Sequence, residues 1–379
     1  MKIGIDARLY AETGIGRYIS NLIKNLEELD TENDYVIFVN KQGSEKYRPR
    51  NPRFKKWLAD VQWYTANEQI MMAKEFYQAR LDLLHVPHFN LPVFYMKKSV
   101  VTIHDLTVGS YAAEKGGIKD AGYKFVVGRA CAAASKIISP SQSVLDSIVK
   151  SYPAVKGKGV VTYEGFEKEL SENLPVDMAV IRTRLEEMGI REKYFLYVGS
   201  CYPHKNLNQL LVSFKEAAKD PNFRAQLVIA GPKDIHAERL AGFVHAVGLD
   251  GRVIFAAKYT QESSVSEKDL GYLYKGASIY VFPSLSEGFS ITPLEAQAFG
   301  IPVLLSDIPV HKEVFENSAL YFNPKSNIDI SEKMVHLYRD EAMQKALVTL
   351  GDKNVLKYSW KKMAEQTLRV YYDALTQQK

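Results

Sequence analysis

The stretch at residues 281–307, VFPSLSEGFSITPLEAQAFGIPVLLSD, carries the clearest structural signal in the chain. An apolar run ends at Ser284, a loop follows, and a helical pattern leads to Gly300 before a second apolar run begins. Thr292 and Glu295 suit the N-cap and third positions of that helix, as a T-x-x-E capping box. Strand, helix and strand in this order predict one βαβ unit of a parallel sheet.

The same alternation extends outward from this stretch along nearly the whole chain. We predict strands at 2–6, 35–39, 83–86, 100–104, 137–139, 160–163, 194–199, 225–231, 253–257, 279–284 and 302–306. Helical patterns fill the gaps, and a charged stretch from Glu164 to Lys193 interrupts the series. The sequence therefore predicts two Rossmann-like α/β domains, 1–165 and 190–359, facing a central cleft.

Composition limits the classes of protein that remain. The chain has 379 residues, 46% of them hydrophobic, which suits two folded domains. The net charge is only +5, without a long Lys/Arg run, so we predict no nucleic-acid partner. Residues 1–165 carry +6 and the remainder −1, which favours a phosphorylated ligand or a membrane surface against the first half.

Cysteine content and hydropathy indicate the compartment. Cys131 and Cys201 are far apart and lack CxxC spacing, so neither a disulfide framework nor a zinc site is predicted. No apolar stretch approaches the ~20 residues that cross a bilayer, and no leader-like segment opens the chain. We expect a cytoplasmic protein, with peripheral contact at the inner face of the plasma membrane left open.

Functional residues are expected in the loops that follow the strands, because ligands of such sheets collect there. Glu287 and Glu295 lie around the loop of residues 281–307, where their carboxylates can accept hydrogen bonds from sugar hydroxyls. The backbone amides between them can donate to a hydroxyl or a phosphate, and they belong to Gly288, Phe289, Ser290 and Ile291.

A second candidate loop is AETGIGRY at residues 11–18, which follows the first strand. Gly14 and Gly16 would let the backbone approach a ligand closely. A dinucleotide fingerprint would need Gly or Ala where Ile19 stands and an acidic residue where Asn40 ends the second strand. We therefore predict no nicotinamide cofactor.

Glu287 and Glu295 are separated by seven residues, and this context resembles the E-x7-E motif of family 4 retaining glycosyltransferases with the GT-B fold. The resemblance covers nearly the whole chain. It includes AETGIGRY, VVTIHDL at 100–106, YVGSCYPHKNLNQLL at 197–211 and YSWKKMAEQTLRVYYDAL at 358–375. WYTANEQ at 63–69 and DLLHVPHFNLP at 82–92 are similar to a subset that acts on bacterial surface glycans, often as mannosyltransferases.

The resemblance implies a C-terminal helix, about 360–379, that crosses back to the N-terminal domain. It also implies catalytic roles for His104 near the transferred sugar, Lys205 at the diphosphate and Glu287 at the donor-sugar hydroxyls. Donor binding is implied for Gly14, Gly16, Ser200, Gly288, Phe289, Ser290, Ile291, Thr292 and Glu295. No cofactor or metal is implied, since a nucleotide sugar is the co-substrate.

Two departures from the family pattern affect the donor site. Ser200 stands where the family usually has an Arg shortly before Lys205, and His204 could replace it only in part. Ala256 and Ala257 stand in VIFAAKYT, the base-binding loop, where a Gly is common. These departures concern phosphate and base binding.

The expected function is transfer of a hexose, mannose favoured, from GDP-mannose or another nucleotide sugar to a glycan or lipid-linked glycan acceptor. The resemblance implies retention of the anomeric configuration. The region FKKWLADVQWYTANEQIMMAKEFYQAR at 54–80 either serves this acceptor or a membrane, or forms an amphipathic helix on the sheet. In that second interpretation, Ile70, Met71, Phe76 and Tyr77 are the buried face.

Other functions share some of these features. A glycoside hydrolase also uses paired carboxylates, but it needs no phosphate site. A metal enzyme is suggested by His85, His88, His104 and Asp105, whose spacing lacks the regularity of a helical metal motif. The main alternative is a non-catalytic two-domain protein that binds a nucleotide sugar or a glycan without turnover.

Overall fold

The computed structural model describes residues 1–12, 14–106, 118–167 and 177–376. It divides into two compact units. The first unit contains Met1–Gly165 and Tyr358–Lys379, and the second contains Phe166–Lys357. Part of the predicted charged stretch, residues 168–176, lies outside the described residues, as do residues 377–379 of the predicted last helix.

Each unit is built on a parallel sheet, as the sequence predicts. Among the described residues, the first sheet has seven strands in the order β3-β2-β1-β4-β5-β6-β7, and the second has six in the order β10-β9-β8-β11-β12-β13. The strands are β1 Lys2–Asp6, β2 Asp34–Val39, β3 Phe54–Leu58, β4 Leu83–Val86, β5 Ser99–Thr102, β6 Lys136–Ser139, β7 Gly159–Val161, β8 Tyr194–Val198, β9 Gln226–Ala230, β10 Val253–Phe255, β11 Ile279–Phe282, β12 Val303–Ser306 and β13 Ala319–Phe322.

Helices cover the two sheets. They are α1 Ile15–Leu29, α2 Lys41–Lys46, α3 Ala66–Gln78, α4 Ile118–Ala133, α5 Gln142–Ser151, α6 Met178–Glu187, α7 Leu207–Ala217, α8 Ile235–Ala246, α9 Glu267–Gly276, α10 Ile291–Ala298, α11 Pro309–Phe315, α12 Asn327–Arg339, α13 Glu341–Val355 and α14 Trp360–Thr376. Most strand residues between them are buried, which explains their continuous apolar runs.

In each sheet the chain winds in opposite directions from one central pair of strands. This topological switch point lies between β1 and β4 in the first unit and between β8 and β11 in the second. Ligands of doubly wound sheets bind beyond the carboxyl ends of the strands at such points. The fold therefore marks one candidate location in each unit.

The last helix, α14, packs on the first unit, as expected. The buried His85 on β4 holds it, because its Nδ1 lies 2.6 Å from the Tyr371 hydroxyl and its Nε2 lies 2.8 Å from Thr102 Oγ1. His85 is thus a structural side chain with both ring nitrogens hydrogen-bonded.

The structure corrects the expectation for residues 54–80. Phe54–Leu58 forms the edge strand β3, and only Ala66–Gln78 is helical. The buried face of this helix contains Met72 and Phe76, whereas Ile70 is 60% exposed and Tyr77 is 38% exposed. The predicted face was wrong for these two residues because the helix is rotated so that Glu68, Met72 and Phe76, spaced four apart, point inward.

No helix among the described residues is long and apolar enough to cross a membrane.

Candidate active site

The loops after β8 and β11 meet at the switch point of the second unit. Asn206 ties them together with its side-chain amide, which donates to the carbonyl of Pro283 at 3.2 Å and to that of Pro324 at 2.8 Å. Leu285 N–H donates to the carbonyl of His204 at 2.8 Å. These bonds hold Lys205, on the first loop, beside Glu287, on the second.

Lys205 and Glu287 form a close ion pair. Lys205 Nζ lies 2.6 Å from Glu287 Oε1, and the two side chains are only 16% and 12% exposed. The same ammonium lies 5.4 Å from the centroid of the Phe282 ring. Two sequence-predicted site residues, 82 positions apart, are therefore in direct contact.

The ion pair sets the protonation state of the carboxyl group. Burial raises the pKa of Glu287, but the charge and hydrogen bond of Lys205 outweigh burial and lower that pKa below its ordinary value. Glu287 is thus a carboxylate near neutral pH and accepts hydrogen bonds. A glycoside hydrolase needs a carboxylic acid with a raised pKa as its proton donor, and Glu287 does not meet that need.

Ser290 begins the helix α10 in an uncommon backbone conformation, with φ of 80° and ψ of 69°. Its Oγ lies 3.0 Å from Nε2 of the buried His311. His311 Nδ1 donates to the carbonyl of Ser306 at 2.8 Å, so Nε2 is the acceptor and Ser290 donates. Burial lowers the pKa of His311 to about 4, which keeps the ring neutral.

His311 was not among the residues predicted from the sequence. It lies on α11, beyond β12, and no catalytic motif includes it. Only the structure brings it to Ser290, 21 residues earlier in the chain.

The predicted capping box at Thr292 and Glu295 is wrong. Ser290 occupies the N-cap position without a side-chain capping bond. The Thr292 hydroxyl instead accepts from Tyr280 OH at 2.8 Å and donates to the Val198 carbonyl at 3.3 Å. The left-handed turn at Ser290 starts the helix two residues earlier than expected, which directs Thr292 across to β8 and β11.

Glu295 is buried, with 2% of its surface exposed, and accepts a hydrogen bond from Tyr274 OH at 3.0 Å. It lies on the first turns of α10, and Gly288, Phe289 and Ile291 lead into the same helix start. Phe289 is 2% exposed, so its side chain anchors the loop. The structure thus assembles the predicted residues of the second unit along one edge of its sheet.

A cavity of about 350 Å³ adjoins this edge. Cys201 lines it from the loop that also carries Ser200 and Lys205, while Ala257 and Lys258 line it from the segment after β10. Gly231 also lines it and approaches the Gly199 backbone so closely that a Cβ on Gly231 would lie 2.2 Å from the Gly199 carbonyl oxygen. The size is within the usual range for small-molecule sites.

The remaining predicted residues belong to the first unit. Gly14 is the N-cap of α1, with φ of 68°, and a Cβ on Gly16 would lie 2.6 Å from the Leu9 carbonyl oxygen. His104 follows β5, and its ring lies 4.7 Å from that of Tyr18 on α1, edge to face. The helix that begins at the glycine loop therefore also packs against His104.

Both ring nitrogens of His104 face acceptors. Nδ1 lies 3.1 Å from Glu164 Oε1, and Nε2 lies 3.1 Å from the Pro87 carbonyl oxygen. Because a carboxylate and a carbonyl oxygen both accept hydrogen bonds, this arrangement favours the doubly protonated ring. Burial lowers the pKa of His104, but the hydrogen bond and charge of Glu164 raise it above the ordinary value.

Among the described residues, no group of three or more His, Cys, Asp or Glu side chains is placed to hold a metal ion.

Comparisons with known proteins give two family matches and a set of relatives. The profile of "Glycosyl transferases group 1" matches residues 185–353, and that of "Glycosyltransferase Family 4" matches residues 13–170. The O-antigen chain mannosyltransferase RfbU of Salmonella typhimurium is 28% identical over 70% of this chain and 68% of its own length. The O-antigen chain mannosyltransferase B of Escherichia coli is 24% identical over 96% of each chain.

Among solved structures, the sucrose-phosphate synthase from Thermosynechococcus elongatus is similar in fold. It superposes with a TM-score of 0.76 at 19% identity and covers 98% of both chains.

Proposed function

The chain belongs to the family 4 glycosyltransferases with the GT-B fold, and we propose that it moves a hexose from a nucleoside-diphosphate sugar to a glycan acceptor. One observation carries the proposal: the contact between Lys205 and Glu287 at the switch point of the second unit. This contact supports the proposal because a cation suited to a diphosphate lies beside a carboxylate suited to sugar hydroxyls.

The proposed reaction breaks the bond between the anomeric carbon and the phosphate oxygen. Negative charge then grows on the departing diphosphate, and a preorganised cation with oriented amides stabilises it. Lys205 supplies the cation, and the amides at the start of α10 supply the dipoles. The acceptor oxygen bonds to the anomeric carbon, and the departing phosphate takes the acceptor's proton.

We assign the other donor contacts from the family resemblance and from the positions of the residues. Ionised Glu287 accepts from hydroxyls of the transferred sugar, and Glu295 binds the ribose. We assign the cavity beside Cys201, Gly231 and Lys258 to the nucleobase, because it shares the loop of Lys205. In this proposal His104, as an imidazolium, contacts the transferred sugar, Gly14 and Gly16 approach the diphosphate, and no metal is required.

We propose GDP-mannose as the donor, retention of configuration, and a glycan or lipid-linked glycan as the acceptor. The two relatives described above are both O-antigen chain mannosyltransferases, which supports mannose and a surface glycan. The corresponding location is the cytoplasmic face of the plasma membrane, by peripheral contact. Liposome binding that weakens with salt would support that contact, whereas no binding at low salt would contradict it.

An acceptor-dependent assay tests the function. The protein is incubated with GDP-, UDP-, ADP- and dTDP-sugars, with and without glycan acceptors, and both nucleoside diphosphate and free sugar are measured. We expect acceptor-dependent release of nucleoside diphosphate without matching free sugar, and a higher melting temperature with the correct donor. Free sugar alone would indicate hydrolysis, and binding without turnover would indicate the non-catalytic alternative.

A further inference from the structure

A buried polar cluster occupies the switch point of the first unit, where β1 and β4 end. Arg8 donates to Asp6 through two nitrogens, Nε to Oδ1 at 2.9 Å and Nη2 to Oδ2 at 2.7 Å, and Nη2 also lies 2.7 Å from Glu68 Oε1. Asn90 donates to the same Glu68 carboxylate at 3.3 Å. All four residues are at most 7% exposed.

His88, next to this cluster, has an unsatisfied nitrogen. The residue is 7% exposed, and its Nδ1 has no hydrogen-bond partner among the described residues. Its Nε2 lies 3.4 Å from the Tyr64 hydroxyl. A buried polar atom without a partner is costly, so a bound group that completes its hydrogen bonding is expected.

A cavity of about 10 Å³ lies between these residues, lined by Asp6, Arg8, His88 and Asn90. That volume holds about one water molecule or one hydroxyl group. Trp63 also lines the cavity and is partly exposed. A hydroxyl could therefore enter the cavity while the ring that carries it rests against the indole.

A hydrogen bond fixes the backbone at Tyr64, next to the cavity. Tyr64 has φ of 61°, a left-handed conformation that is uncommon for a bulky residue, and its N–H donates to Glu68 Oε2 at 2.7 Å. Its ring is 59% exposed and stacks at 5.8 Å on Phe89. The buried carboxylate of Glu68 thus fixes the turn that presents Trp63.

The charge of the cluster selects the kind of ligand. One guanidinium faces two carboxylates, those of Asp6 and Glu68, so no uncompensated cation is available for a phosphate or a carboxylate. Carboxylates and a neutral imidazole suit the hydroxyls of an uncharged sugar, and an indole suits its apolar face. His104 donates to the carbonyl of Pro87, the residue before His88, which places the cluster beside a proposed reaction residue.

We propose that this cluster is a subsite for an uncharged pyranose of the acceptor glycan, with one sugar hydroxyl in the cavity at His88 and the ring on Trp63. The proposal rests on the proposed function, in which the second unit holds the nucleotide sugar.

Binding can be measured without turnover. The chain has three tryptophans, so the full-length protein labelled with 5-fluorotryptophan gives few ¹⁹F resonances, and Trp63→Phe assigns the relevant one. The probes are α-linked mannobioses and other neutral disaccharides, a disaccharide containing a uronic acid, and GDP-mannose alone. Trp57→Phe is the matched control, since Trp57 donates to Glu75 and packs near Phe38, outside the cavity lining.

We expect a neutral disaccharide to shift the Trp63 resonance saturably, with the Kd about tenfold higher in His88→Leu and unchanged in Trp57→Phe. The uronic-acid disaccharide should bind more weakly. In the transfer assay, Trp63→Ala should raise the acceptor KM about tenfold and leave the donor KM unchanged, with partial rescue by Trp63→Tyr.

Three results would overturn the subsite. The first is that no neutral disaccharide shifts the Trp63 resonance. The second is that His88→Leu binds the disaccharide as tightly as wild type, which would mean that the cavity holds only water. The third is that GDP-mannose alone produces the shift, which would mean that the donor sugar occupies the site. Absence of all sugar transfer by the wild type would instead contradict the proposed function, while the ¹⁹F response still decides the subsite.

Discussion

The protonation of single side chains beyond the strands depends on their hydrogen-bond partners, and for Glu287 and His104 these partners are distant in sequence. Lys205 lowers the pKa of Glu287, Glu164 raises the pKa of His104, and Ser306 accepts a hydrogen bond from Nδ1 of His311. Motifs identified Lys205, Glu287 and His104 from the sequence. Glu164 and His311 could not be predicted, because their importance depends on tertiary contacts and not on local spacing.

His104 predicts a pH-dependent contribution to stability. Because the pKa of His104 is raised in the folded state, its stabilisation is complete below the unfolded pKa near 6.5 and is lost as pH rises through the folded value. We expect His104→Gln to lower the free energy of unfolding by about 2 kcal/mol at pH 6 and by less at pH 9.

Urea unfolding of wild type and His104→Gln at several pH values checks this pH dependence. Glu164→Gln is the control, because it removes the carboxylate that bonds to His104. A difference in the free energy of unfolding between wild type and His104→Gln that stays constant from pH 6 to pH 9 would contradict the raised pKa of His104.

Ser290 predicts a graded response to substitution. Its φ of 80° suits glycine but strains a β-branched residue. Ser290→Val should therefore lower the melting temperature and weaken nucleotide-sugar binding, whereas Ser290→Gly should keep the fold and lose only the bond to His311. Thermal unfolding measures the melting temperature of each variant, and calorimetry measures its affinity for GDP-mannose. Equal behaviour of the two variants would count against backbone strain at this helix start.

At the scale of elements, every interior strand was predicted, whereas two of the four edge strands among the described residues were not. β3 and β13, which were not predicted, each form one edge of their sheet, while the strands at the opposite edges, β7 and β10, were predicted. β3 reads FKKWL and leaves its lysines exposed, so it lacks the continuous apolar run of a strand covered on both faces. The start of α10 was also misplaced, since a left-handed serine at a helix start leaves no pattern in the sequence.

The last helix predicts a stability effect without a catalytic one. Tyr371→Phe removes the hydroxyl that bonds to His85 Nδ1 at 2.6 Å and leaves that buried nitrogen without a partner. We expect a loss of about 1–3 kcal/mol in the free energy of unfolding. Sugar transfer at a temperature where the variant is folded should be unchanged. Tyr372→Phe, on the same helix, is the comparison: this side chain is 36% exposed and its hydroxyl accepts from Asn33 at 3.0 Å, so we expect a smaller loss.

An unchanged unfolding midpoint for Tyr371→Phe would mean that this hydrogen bond does not hold α14 on the first unit.

At the scale of the whole molecule, the sequence predicted two α/β units in the correct order, because alternating strands and helices recur in both halves. The family matches divide in the same way, with one profile on each half. The two switch points were not visible in the sequence, since strand order depends on which neighbours pair. They explain why short-range motifs after β1, β4, β8 and β11 become sites.

This division predicts that nucleotide binding resides in the second unit. A piece spanning residues 177–357 should fold, bind GDP with an affinity within about tenfold of the full chain, and transfer no sugar. Circular dichroism measures whether the piece folds, and calorimetry measures its affinity for GDP. A folded piece that binds no nucleotide would show that the donor site needs residues of the first unit.

Removal of the Lys205 ammonium group is the most direct test of the proposed donor site. The measurement compares kcat for sugar transfer in wild type, Lys205→Ala and Lys215→Ala, the last being an exposed lysine on α7. We predict a loss on the order of 100- to 1,000-fold for Lys205→Ala, as expected for removal of one preorganised charge stabiliser, and no loss for Lys215→Ala. A Lys205→Ala enzyme within a few-fold of wild type would contradict the proposed donor site.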